Sequence, residues 1–119
     1  MTTDRKILGA LGERLAVTHL KKMGYKILEV NYRCKLGEVD IIAYGDNTYI
    51  FIEVKTRTGI LFGRPIEAIN HKKQDHMVRV ALSYIKAKGL AQCNYRFDAV
   101  EVLFEGRKLS EIQHIKNII

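Results

Sequence analysis

A chain of 119 residues that is 47% hydrophobic is long enough for one domain with its own core and too apolar for disorder. No apolar run approaches ~20 residues, so no membrane span is expected, and the charged start Met1-Thr2-Thr3-Asp4-Arg5-Lys6 does not read as a signal peptide. The formal charge of +7 points to a polyanionic partner, and two cysteines without a Cys-x-x-Cys pair argue against a zinc site or a disulfide framework.

The simplest reading is one cytoplasmic domain over residues 1–119. Residues from about Thr3 to Met23 are expected to form a first helix, with Ile7, Leu8, Leu11, Leu15 and Leu20 along one side. Glu13 lies on the flank of that stripe, and Gly24 stops the helix. Residues 25–33 read as a strand, and Lys35-Leu36-Gly37 lead into a hairpin at about 38–44 and 48–57. Thr58–Arg64 is a glycine-containing loop, and Pro65 opens a long helix ending near Lys88-Gly89. The core side of that helix holds Ile66, Ile69, Met77, Val80, Ala81 and Tyr84, with Gln74 as a partly buried amide facing the sheet. Strands at about 94–104 and 109–116 close the chain, separated by Glu105-Gly106-Arg107-Lys108. The order α-β-β-β-α-β-β predicts an α/β fold, a mixed β-sheet flanked by helices.

The hairpin carries the chemistry. Asp46-Asn47 tolerates positive φ at both positions, as a two-residue loop requires. That loop pairs Gly45 with Thr48 and Ile42 with Phe51, and further out Asp40 with Glu53 and Glu38 with Lys55. Side chains alternate faces, so Val39, Ile41, Ala43, Ile50, Ile52 and Val54 form an apolar face, and Asp40, Glu53 and Lys55 share the other. A different loop would slip the register and set Glu38 opposite Glu53.

Two carboxylates directly opposed on a sheet repel one another. A magnesium or manganese ion cancels that repulsion, because hard cations take oxygen ligands and magnesium is often held by one or two carboxylates. Such an ion activates water and stabilises charge on phosphorus oxygens, and a lysine two residues beyond a ligand reaches the same water or phosphate. The competing interpretation is a solvated sheet face with an ordinary Glu38–Lys55 ion pair.

An Asp followed across a hairpin by Glu-x-Lys resembles the core of the PD-(D/E)xK nuclease superfamily, which includes restriction endonucleases and archaeal Holliday-junction resolvases. A closer likeness is to the YraN-like family of small bacterial endonuclease-like proteins. It runs through Gly9-Ala10-Leu11-Gly12-Glu13, Gly24-Tyr25-Lys26-Ile27-Leu28, Asn31-Tyr32-Arg33 and Gly37-Glu38-Val39-Asp40-Ile41-Ile42. It continues in Phe51-Ile52-Glu53-Val54-Lys55-Thr56-Arg57, Phe62-Gly63-Arg64-Pro65, Lys72-Lys73-Gln74 and Arg96-Phe97-Asp98. The resemblance implies a restriction-endonuclease-like fold with Asp40 and Glu53 as ligands of magnesium or manganese and Lys55 as the catalytic lysine. It further implies that Glu13 completes the carboxylate cluster and that Gln74 helps to position the site. Val39 stands where the superfamily motif has proline, a variant that removes no ligand. The implied activity is hydrolysis of backbone phosphodiesters in DNA or RNA, branched or damaged DNA included. The implied assembly is a homodimer, since resolvases pair two sites that way.

Basic residues are distributed to suit that partner. Arg57 and Arg64 follow the second motif strand, and His71, Lys72, Lys73, His76 and Arg79 cluster early in the next helix. Arg57, Arg64, Lys72 and Lys73 are expected to hold the nucleic-acid backbone. His19, His71, His76 and His114 lack metal-ligand spacing, and Asp98 reads as structural, pairing with Arg96. The alternative function is a non-catalytic nucleic-acid-binding or assembly module on a nuclease fold.

Overall fold

The computed structural model describes residues 2–58 (side chains from Lys6 onward), 71–90 and 92–119. Its elements are α1 (Thr2–Lys22), β1 (Lys26–Cys34), β2 (Gly37–Gly45), β3 (Thr48–Thr58), α2 (His71–Ala87), β4 (Asn94–Glu105) and β5 (Lys108–Ile115). The expected loop beyond Thr58, the helix start at Pro65, the core positions Ile66 and Ile69, and Arg64 lie outside the described residues.

The β2–β3 turn behaves as its residues dictate. Asp46 and Asn47 adopt φ of 52° and 56°, the left-handed pair that a twisted two-residue hairpin needs. Pairing follows with Gly45 opposite Thr48 and Ile42 opposite Phe51, the expected register. The five strands lie in chain order, β1-β2-β3-β4-β5, and all neighbours are antiparallel except β3 and β4. A parallel pair cannot be joined by a tight turn, and α2 lies in the chain between the two strands. The outer pairs, β1–β2 and β4–β5, each carry a register irregularity, at Ile27/Glu29 and at Leu103/Phe104.

The sheet is covered on both faces. On one, Ala16 and Leu20 of α1 pack with Ile41, Ala43, Ile50, Ile52, Val54, Val100, Val102 and Phe104. On the other, Met77, Val80, Ala81, Tyr84 and Ile85 of α2 pack with Val39, Ile42, Phe51 and Phe97. Strict alternation places Val39 with Ile41, but it belongs to the α2 side. There it stands opposite Tyr32 of β1, which packs against the same cluster. The face carrying Asp40 and Glu53 is therefore half core rather than solvated. Ile7 departs as well: it is 56% exposed, outside the packed stripe of α1.

Two glycines set the distances between layers. Gly37 (φ 142°) brings the start of β2 against α2, where an added Cβ would lie 3.3 Å from Val80 Cγ2. Gly12 seats α1 on β3, where a Cβ would fall 2.1 Å from Thr56 Oγ1 and 3.2 Å from both Thr56 Cβ and Cγ2. Rotating Thr56 about its branched Cβ does not clear that clash, so overpacking outweighs the helix-propensity gain of alanine. Gly12→Ala should destabilise the protein by about 1–3 kcal/mol. A thermal melt with an unchanged or raised midpoint would count against this seating.

Candidate active site

Asp40, Glu53 and Lys55 meet where the β2–β3 ladder ends. Paired residues reach Ile41–Ile52, and continued pairing would hydrogen-bond Val39 with Val54. The Val54 N–H instead donates to Asp40 Oδ2 at 2.7 Å. The side chain thus takes over the last rung of the ladder and is pinned beside β3. Glu53 is buried at 5% exposure, and Lys55 Nζ lies 3.4 Å from its Oε1. The structure thus brings the three side chains together, as the hairpin register predicts.

A fourth member comes from α2. Lys73, at the third described position of that helix, sets its Nζ 2.5 Å from Glu53 Oε1. The sequence assigns Lys73 to the nucleic-acid backbone; in the structure its ammonium lies on the Glu53 carboxylate. A cleft of about 230 Å³ opens here, lined by Glu38, Asp40, Glu53, Lys73 and His76 among others.

The electrostatics follow from burial. Removal from water, then the neighbouring charge of Glu53 and the smaller one of Glu13, push the Asp40 carboxyl up to about 7 from 3.8, against the Val54 N–H and Lys73. Burial pulls the Lys55 ammonium down, and the adjacent Lys73 adds to that pull while Glu53 opposes it. For Lys73, burial is outweighed by the hydrogen bond and charge of Glu53, so its ammonium is held above the ordinary lysine value.

Among the described residues, no three His, Cys, Asp or Glu side chains form a group that could hold a metal ion. Glu13 acts on Asp40 through its charge, and it lines a separate groove between α1 and β1 with Arg14, Val17 and Val30. Asp40 and Glu53 nevertheless fit a divalent ion of the magnesium or manganese type, which accepts two carboxylates and fills its other positions with water and substrate oxygens.

The remaining predicted positions separate. Gln74 is half-buried but is not among the residues lining the cleft, where α2 contributes Lys73, His76 and Met77. Lys72 is exposed in the first described turn of α2. Arg57 follows Lys55 on the same side of β3, and its buried Nε has no hydrogen-bond partner among the described residues. Glu38 pairs with Arg33, directly opposite on β1 (Nε–Oε2 3.1 Å), and not with Lys55. The neighbouring strand supplies the nearer cation.

Two features escape a sequence reading. Glu101 is fully buried and stands beside Lys55 in the parallel β3–β4 register. Nothing local marks it, because only the pairing of β4 with β3 puts it there. Asp98, also fully buried, binds Arg96 as expected (Nε to both carboxylate oxygens at 3.1 Å) but also His114 Nε2 at 2.7 Å and the Asn117 N–H at 3.0 Å. Arg96 Nη2 reaches Tyr25 Oη at 3.0 Å, so this network ties α1's exit to β4 and the C-terminal segment, away from the cleft.

A five-stranded mixed sheet with α1 and α2 on opposite faces, in the order α-β-β-β-α-β-β, is a restriction-endonuclease-like fold. The chain belongs to the uncharacterised protein family UPF0102, the YraN-like group, whose profile matches residues 12–102 and so spans Glu13, Asp40, Glu53, Lys55 and Lys73. It is 50% identical over 115 residues to a UPF0102 protein of Caldicellulosiruptor saccharolyticus, covering 96% of this chain and 98% of the relative. Similar relatives occur in Alkaliphilus metalliredigens, 48% identical over 94% of this chain and 96% of the relative, and in Caldanaerobacter subterraneus, 44% identical over 96% and 95%.

Proposed function

We propose that this protein is a metal-dependent nuclease that hydrolyses backbone phosphodiesters of DNA or RNA. The observation that carries the reading is the half-buried Asp40 beside the buried Glu53 at the end of the hairpin ladder, with Lys55 on the same strand 3.4 Å from Glu53. A magnesium or manganese ion held by the two carboxylates would supply an activated water and offset charge on the phosphoryl oxygens. The chain's own part is orientation and charge. Val54 fixes the Asp40 carboxylate through its N–H, and Glu53 anchors Lys55. Lys55, whose ammonium burial holds below the ordinary lysine value, holds the attacking water or donates to developing negative charge on a phosphate oxygen. Arg57, whose buried Nε has no hydrogen-bond partner among the described residues, and the exposed Lys72 would meet flanking phosphates. The net charge of +7 supports a polyanionic substrate.

The test is cleavage of a labelled panel, namely single strand, duplex, flap and four-way junction, with magnesium or manganese, by the parent and by Asp40→Ala. The parent should cut at least one substrate and the variant none. Equal cutting by both would end this mechanism. A second reading, a binding module without turnover, is favoured by the absence of a third converging ligand among the described residues. Salt-dependent binding by the parent with no cleavage under either metal would select it.

A further inference from the structure

The proposed divalent site already contains a cation of its own. Lys73 Nζ sits on Glu53 Oε1 at 2.5 Å, and its charge is felt by Asp40, which lines the same cleft. Two carboxylates, Asp40 and Glu53, face two lysines, Lys55 and Lys73, and Glu101 is buried beside Lys55, so Lys73 already sets a positive charge against the pair that would hold the ion. A divalent ion placed between the carboxylates would add two positive charges beside Lys73, inside a partly buried cleft where charge is weakly screened. Like charges at such spacing repel, which favours movement of the more mobile cation. Lys55 is the less able to move, since its strand lies within the sheet and its side chain is only 20% exposed. Lys73 is 40% exposed and projects from the first described turn of α2, with a flexible stem open to water.

We propose that Lys73 is a displaceable internal cation: it neutralises Asp40 and Glu53 until a divalent ion takes its place, and its ammonium then moves out toward the mouth of the cleft. This rests on the divalent site of the proposed nuclease. Lys73 is thus a positioning residue that sets metal affinity, distinct from Lys55, which stays. In its outward position, beside the exposed His71 and Lys72, its natural counter-ion is a phosphate of the bound strand, so metal loading and strand binding favour one another.

Manganese titration by calorimetry, without nucleic acid, tests this on the full chain. Lys73→Met should bind manganese at least about tenfold more tightly than the parent, because a competing cation has gone. Lys73→Gln serves in the same way if the methionine variant does not fold. Lys86→Met, which removes the same charge from the exposed far end of α2, should match the parent. Equal or weaker binding by the Lys73 variants overturns the inference, with the metal site itself intact if the parent binds stoichiometrically and Asp40→Ala does not. Equal tightening by Lys86→Met also overturns it, as a general charge effect. If neither parent nor variants bind manganese, the metal site and the exchange fall together.

Discussion

Asp98→Ala should cost about 3–5 kcal/mol of folding stability, a large share of the roughly 5–15 kcal/mol a domain possesses. The carboxylate is fully buried and accepts from Arg96, His114 and the Asn117 N–H at once. Deleting it strands a guanidinium whose side chain is 16% exposed, a ring at 8%, and a backbone donor. Removing one partner of such a set costs more than the set contributes, because the survivors stay out of water. The loss has a pH signature. Burial alone would raise the Asp98 carboxyl, but the hydrogen bonds from His114 and Asn117 and the charge of Arg96 outweigh it and hold the group below 3.8. A depressed carboxyl stabilises the fold above its ordinary pKa and loses that contribution as pH falls through the folded value. The gap between parent and variant in urea unfolding should therefore be full at pH 7 and shrink only below about pH 4. A gap under 1 kcal/mol at pH 7 would show that the network is ornamental.

Asp40→Asn should do the reverse: abolish cleavage while strengthening the fold. On the proposed mechanism, loss of one of the two carboxylates is expected to lower turnover by at least about 10³-fold. Asparagine retains a carbonyl oxygen for the Val54 N–H but no charge to set against Glu53. Because burial and Glu53 raise the Asp40 carboxyl from 3.8 to about 7, the parent loses stability as pH climbs through that interval. The asparagine variant lacks this penalty. With a chelator present, its advantage should be absent near pH 4, grow to pH 7 and then level off at about 1–2 kcal/mol, a value discounted for partial solvent access. A less stable variant at pH 8 would mean that Asp40 is not under electrostatic stress, and the argument for a site tuned to a cation would lose its footing.

The part of this arrangement visible in the sequence is the part fixed by neighbours in the chain. Asp46-Asn47 dictates the turn, the turn dictates the register, and the register brings Asp40 to Glu53. Alternation failed at Val39, where the β3 ladder has ended and contact with Tyr32 and α2 decides the face. Lys73 and Gln74 show the other limit. They are adjacent, and helical periodicity favoured the amide as the inward residue. Which of the two meets Glu53 depends on how α2 crosses the sheet, a matter of tertiary packing. Asp98 could be read as a partner of Arg96, two residues away. Its bond to His114 needed β5 to fold back on β4, and no spacing rule joins residues across that return.

The irregularities in the outer strand pairs bear on how this sheet meets other molecules. An exposed strand margin is a template on which a further strand can grow, and a bulge disturbs the even row of donors and acceptors that such growth requires. The interior pairs β2–β3 and β3–β4 run without a register shift, whereas both marginal pairs are interrupted, and Asn31 in β1 adds a left-handed residue at φ 54°. Lateral zippering of one copy onto another is thereby discouraged at either side. On the proposed function, recognition would then fall to side chains around the cleft, which could engage and release a long polymer without the sheet itself becoming part of one.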